Sequence, residues 1–175
     1  MTATRRLTLA AGGLLGLAGA VTAAAWVEAR AFVLRRVTVP VLPFGSPQIR
    51  VLHLSDIHLM PYQKRKLRFV ASLGALNPDL VIGTGDNVSS PEAIEPLLEA
   101  LSPLMARPGA FVFGSNDFVE PTFRNPASYL FGNSTVAKDR KLLPTWQLQD
   151  AFTDAGWVYL DNAAARLSVA GRTVD

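Results

Sequence analysis

Apolar and polar positions follow two regimes along the chain. From Leu7 to Val27 run 21 consecutive uncharged residues, mostly Leu, Ala, Gly and Val, with no alternation. As a helix this run is about 31 Å long, enough for the hydrocarbon core of a bilayer. Trp26 stands near its end and Arg30, Arg35 and Arg36 follow, as an interfacial anchor requires. The pattern predicts a single transmembrane helix within an N-terminal segment, residues 1–36, with the amino end inside and the rest of the chain outside. A removable export signal is the alternative. Gly12, Gly16, Ala20 and Ala24 recur every four residues, which would let two such helices approach closely.

Pro40, Pro43, Gly45 and Pro47 mark a stiff connector over residues 37–48, and the pattern then alternates between strand and helix periods. Ile49 to Ser55 reads as a buried parallel strand. Lys64 to Leu76 places Leu67, Val70 and Leu73 on one helical stripe and stops at Asn77-Pro78, because a residue before proline resists the α region. Leu80 to Thr84 is a second strand. A helix starts near Ser90-Pro91, with apolar positions from Ile94 to Met105 and with Pro96 and Pro103 predicted to kink or shorten it. Ala110 to Phe113 is a third strand, residues 117–143 are turn-rich, and a helix over 146–155 precedes a strand pair at 158–160 and 166–174. The βαβαβ order of residues 49–175 implies an α/β domain with a parallel sheet and right-handed crossovers.

Charge sharpens this division. The chain carries +3, but the first fifty residues hold six basic residues and one acid, a net +5, leaving −2 for the remainder. A mildly acidic globular part argues against a nucleic-acid groove. With no cysteine, disulfide scaffolds and thiolate metal sites are excluded. Thr4-Arg5-Arg6-Leu7-Thr8-Leu9 is a partial twin-arginine export pattern, with Thr8 where an aromatic residue is usual.

Ligands of parallel sheets bind at the carboxyl ends of the strands. The polar residues predicted there are Asp56 and His58, Gly85-Asp86-Asn87, and Gly114-Ser115-Asn116-Asp117. Asp56, Asp86 and Asn116 are spaced by 30 residues, about one βα unit, so adjacent strands would deliver them to one edge. Clustered carboxylates repel unless a cation lies between them, and an imidazole among oxygen donors suits Mn, Fe or Zn. His53 lies on the opposite face of its strand by alternation and is expected to pack there. Trp146 and Trp157 are expected in the core. Arg124, Lys138, Arg140 and Lys141 read as a solvated loop, with contact to a substrate phosphate as the alternative.

Leu54-Ser55-Asp56-Ile57-His58, followed by Pro78-Asp79-Leu80-Val81-Ile82-Gly83-Thr84-Gly85-Asp86-Asn87, resembles the D-x-H and G-D motifs of the calcineurin-like metallophosphoesterases. Within that family the chain is most similar to the membrane-anchored bacterial branch, with relatives akin to UDP-2,3-diacylglucosamine hydrolase. The resemblance implies an αββα sandwich, here incomplete. It implies two divalent metal ions, with Asp56 and His58 on the first and Asp86 shared by both. Hydrolysis of a phosphomonoester or phosphodiester by a metal-activated hydroxide would follow. The predicted anchor points to a single-pass protein of the bacterial cell envelope, and to a lipid-linked or envelope substrate.

Two departures qualify the resemblance. The family's third motif is G-N-H-D/E, where this chain has Gly114-Ser115-Asn116-Asp117. Without a gap, Ser115 takes the ligand position and Asn116 the histidine position, as a catalytic residue with no proton to give. With a loop one residue longer, Asn116 itself reaches the second metal, and both registers stay open. The chain also has only His53 and His58, so the family's later histidines, including G-H-x-H, are absent. The expectation is an N-terminal part of a longer phosphoesterase, with a noncatalytic remnant or interaction module as the competing reading.

Overall fold

The computed structural model describes residues 3–122 and 140–175, and within its first helix the side chains of residues 12, 13 and 15 onward. The chain divides into two compact units, Met1–Pro40 and Val41–Asp175. The first consists of helix α1 (Ala3–Glu28) and an irregular tail. Arg30 stacks 3.8 Å above the Trp26 ring and donates to the Trp26 carbonyl at 3.1 Å, closing the helix end with a cation–π contact and a cap.

Among the described residues, no helix is long and apolar enough to cross a membrane, which overturns the predicted transmembrane helix. From Leu15 to Glu28 the described side chains include a threonine and end in a charged glutamate. Half of them are Ala or Gly, which bring little apolar area to burial. The membrane contact, the single-pass envelope location and the membrane-anchored branch rested on that helix and are withdrawn with it. Arg5 and Arg6 have side chains outside the described set.

In the second unit, β1 (Val51–Leu54), β2 (Leu80–Gly83), β3 (Gly109–Phe111) and β4 (Val158–Tyr159) form one parallel sheet in the order β1-β2-β3-β4. The connections carry α2 (Lys64–Ser72), α3 (Ile94–Met105) and α4 (Thr145–Asp154). Right-handed crossovers taken in one direction put successive helices on one face of the sheet. Burial follows that asymmetry: Leu52, Val81 and Phe111 are buried, whereas Val51 and His53, at alternate positions of β1, are exposed. His53 is therefore not packed as expected; its Nε2 lies 2.7 Å from the Thr84 hydroxyl.

Local signals explain the boundaries. The helical stripe of Leu67, Val70 and Leu73 is α2 continued by a 3₁₀ turn over Leu73–Leu76, and Asn77 ends it in the left-handed conformation (φ 51°) before Pro78. The stretch predicted after Ser90 is a 3₁₀ turn over Pro91–Ala93 followed by α3, which contains Pro103. Phe111 and Phe152 meet edge to face, Phe152 stacks on Trp157, and the Trp157 indole donates to the Arg107 carbonyl at 3.0 Å. Trp157 is thus core as expected, but Trp146, on the outer side of α4, is 62% exposed.

The predicted C-terminal strand pair is corrected. β4 joins the parallel sheet beside β3, and β5 (Leu167–Val169) pairs antiparallel with β6 (Arg172–Val174) as a separate hairpin. Its two turn residues, Ala170 and Gly171, both have positive φ, the requirement of a tight hairpin turn. Of the expected sandwich, the described residues therefore present one parallel sheet with its helices and one two-stranded sheet. Arg124, Lys138 and residues 123–139 of the turn-rich stretch lie outside the described residues.

Candidate metal centre

The loops after β1 and β2 are joined by backbone bonds before any side chain is considered. The Asp56 amide donates to the Gly85 carbonyl (3.0 Å), His58 to Asp86 (2.8 Å) and Leu59 to Asn87 (3.0 Å). Ile57 and Leu59, alternating with the polar residues, are buried and anchor the first loop from below. The result is that Asp56, His58 and Asp86 each offer a donor atom within 4.8 Å of the others. His58 Nε2 lies 3.8 Å from Asp56 Oδ1 and 3.5 Å from Asp86 Oδ2.

These separations are too long for hydrogen bonds and have another fit. Metal–ligand distances for nitrogen and carboxylate oxygen are about 2.0–2.2 Å, so two donors on one ion sit up to roughly 4 Å apart. Two carboxylates and an imidazole are also the donor chemistry of Mn, Fe and Zn sites. The residues therefore fit a divalent ion, and this is the one three-residue donor cluster found among the described residues.

All three donor residues adopt positive φ: Asp56 at 54°, His58 at 43° and Asp86 at 55°. Such conformations are uncommon for residues with a Cβ and persist where surrounding structure imposes them. At Asp86 the imposing group is Asp117, which is fully buried. Its carboxylate accepts from the Asp86 amide (2.7 Å), the Asn87 amide (2.7 Å), the Asn87 side chain (3.3 Å) and the Gly114 amide (3.0 Å). Thr145 at the start of α4 donates to the Asp117 carbonyl at 2.5 Å, which ties the loop to the helix layer.

The third loop approaches at closest range. A Cβ on Gly114 would lie 2.1 Å from Asp86 Oδ1, and one on Gly85, whose φ is +88°, 2.0 Å from the Gly114 amide nitrogen. Only glycine permits this contact of two loop backbones. It brings the Asn116 amide to Asp86 Oδ1 (2.9 Å) and the Asn116 side-chain nitrogen to Asp86 Oδ2 (2.8 Å). Ser115 is exposed. The structure thus gathers Asp56, His58, Asp86 and Asn116 at one sheet edge, sends His53 to the other face of β1, and buries Asp117 beneath the cluster.

Two participants carry weak sequence signals. Asp117 reads as an ordinary acid after a turn; its place three residues beyond Gly114, where a carboxylate can reach back to a loop amide, is the available hint. Lys66 donates to the Ile57 carbonyl at 2.6 Å and stands 3.5 Å from that of His58. Partial burial holds its pKa below the usual lysine range.

The comparisons agree with this geometry. The family model for calcineurin-like phosphoesterases matches residues 49–168. No curated protein and no solved structure matches the chain. By family it is a metallophosphoesterase with a partial metal-binding cluster, and nothing supports a membrane-anchored branch. The match takes in all four parallel strands, the three donor residues and the loop that braces them: the chain belongs to the calcineurin-like phosphoesterase family.

Proposed function

We propose that the domain hydrolyses a phosphomonoester or phosphodiester at a dinuclear centre. Asp56 and His58 would hold one divalent ion, Asp86 would share two, and Asn116 would stand beside the second. The observation that carries this reading is the convergence of the Asp56, His58 and Asp86 donors at the mutual spacing of ligands on a common ion. Bound divalent ions supply positive charge against phosphoryl oxygens and acidify water at neutral pH. The chain's own contribution is positioning: Asp86 is held by Asn116 and by the Asp117-braced loop, so its carboxylate is aimed before substrate arrives. The Asn116 amide donates hydrogen bonds but gives up no proton, so the assistance of a general acid, commonly about 10²–10⁴-fold, is not expected from it. Substrates with acidic leaving groups would suffer least from that loss.

A second reading, a domain that binds metal without turnover, is favoured by the single donor cluster among the described residues. Metal analysis together with turnover of bis(p-nitrophenyl) phosphate in added Mn separates the two. Stoichiometric Mn with turnover that disappears in Asp86→Ala supports the hydrolase; stoichiometric Mn with no turnover supports the second reading. Full activity in Asp86→Ala would remove this cluster from the mechanism.

A further inference from the structure

Lys66 occupies a position that is unfavourable on three counts. It lies in the first turn of α2, where Lys64, Arg65 and Lys66 put three cations against the positive end of the helix dipole with no acid among them. It is partly buried, with its pKa lowered by desolvation. Among the described residues it has no carboxylate within ion-pair distance. Its partners are the backbone carbonyls of two consecutive peptide links: Ile57 at 2.6 Å and, more distantly, His58 at 3.5 Å.

Those carbonyls flank the backbone of His58, the donor residue with the smallest positive φ of the three. A left-handed histidine between a buried Ile57 and a buried Leu59 has its imidazole direction set by the turn, because the neighbouring side chains are fixed in the core. The His58 amide is held from the other side by the Asp86 carbonyl at 2.8 Å. Lys66 supplies the opposing hold, on carbonyls that no other described side chain takes up.

We propose that Lys66 is a positioning residue for His58: its ammonium fixes the Ile57–His58 peptide so that the imidazole stays aimed at the Asp56–Asp86 carboxylates. This rests on the metal-site reading above. The probe is Mn alone, bound to the full chain, with affinity measured by calorimetry and the imidazole signature read as nitrogen hyperfine coupling in the Mn electron paramagnetic resonance spectrum. Lys66→Met keeps the aliphatic stem and removes the donor; we expect Mn affinity to fall about tenfold or more, with the nitrogen coupling weakened, as for loss of other groups that orient metal-binding histidines. In a His58→Ala background the same change should cost no further affinity, since Lys66 would have nothing left to aim.

Lys66→Gln, which retains a neutral donor, should recover part of the affinity and serves as the second variant should Lys66→Met fold poorly. Wild-type affinity and coupling in Lys66→Met, or an equal loss of affinity with and without His58, would overturn the inference while leaving the metal site standing. A wild-type chain that binds no Mn would overturn both.

Discussion

Replacing Asp117 with alanine is the most direct test of how the metal centre is built. The carboxylate is fully buried and accepts four N–H groups, three from backbone and one from the Asn87 side chain. Each buried donor left without a partner costs about 1–3 kcal/mol, so independent losses would reach roughly 4–12 kcal/mol. The four donors lie on two loops already in contact, however, so their losses are not independent, and water can enter the space vacated by the side chain. The expected loss is therefore about 3–5 kcal/mol, the range for removing one member of a buried charged network. A domain stable by about 5–15 kcal/mol would be left marginal.

Asp117→Asn should fall between the two. It retains one oxygen acceptor but sets an amide against the Asn87 N–H, for an expected loss of about 2–3 kcal/mol. Urea titration followed by circular dichroism measures both, with Asp154→Asn on the exposed end of α4 as a control expected within about 0.5 kcal/mol of wild type. A loss below about 1 kcal/mol for Asp117→Ala would show that the loop does not depend on these bonds, and the account of how Asp86 is held would be wrong.

Three further perturbations separate the parts of the site. Gly114→Ala drives a Cβ to 2.1 Å from Asp86 Oδ1 and should weaken Mn binding at least about tenfold by calorimetry; unchanged affinity would mean the loop yields freely. Asp56→Gly replaces an exposed left-handed residue with the one that tolerates that conformation, so in EDTA its unfolding midpoint should stay within about 1 kcal/mol of wild type while stabilisation by Mn disappears. A larger loss in EDTA would assign Asp56 a structural duty. Tyr159 has its pKa raised by desolvation and then by Asp161. The unfolded chain therefore loses this proton first, and folding stability should fall as pH rises above about 10, an effect that Tyr159→Phe should reduce in alkaline urea titrations.

Much of the parallel sheet was legible because its elements obey local rules. β1 and β2 are apolar runs that lie within the predicted segments, β3 is offset by one residue at its start, and the Asn77-Pro78 pair ends the first crossover where the backbone rule places it. The errors have equally local causes. Val158–Tyr159 is too short for its pattern to say which neighbour it pairs with, and only the sheet resolves that. Alternation puts His53 on the face of β1 away from the site, and residue type suggests a core place for Trp146, but that face of β1 and the outer side of α4 leave both accessible. The uncharged run from Leu7 to Val27 satisfies the length of a bilayer span on a count of charges, whereas among the described residues no helix is long and apolar enough to cross one, and half of the described side chains from Leu15 to Glu28 are Ala or Gly.

At the metal centre, chemistry was readable and its mechanical support was not. Spacing of 30 residues was enough to bring Asp56, Asp86 and Asn116 to one edge, since each crossover repeats the same step. Nothing in the letters announces that Asp56, His58 and Asp86 all take left-handed backbone, because Asp and His tolerate that conformation better than most residues but still adopt it at few positions, and here long-range bonds hold it. Three such residues cost of order 1 kcal/mol or more apiece. The four hydrogen bonds to Asp117, the Gly85–Gly114 contact and the Lys66 hold on the Ile57 carbonyl are interactions of comparable size, and each acts on a neighbour of a donor residue. The local rules therefore fail at the positions where the chain directs its stabilising contacts inward on the site, and a donor set that strained is maintained because the surrounding bonds leave its backbone no lower-energy alternative.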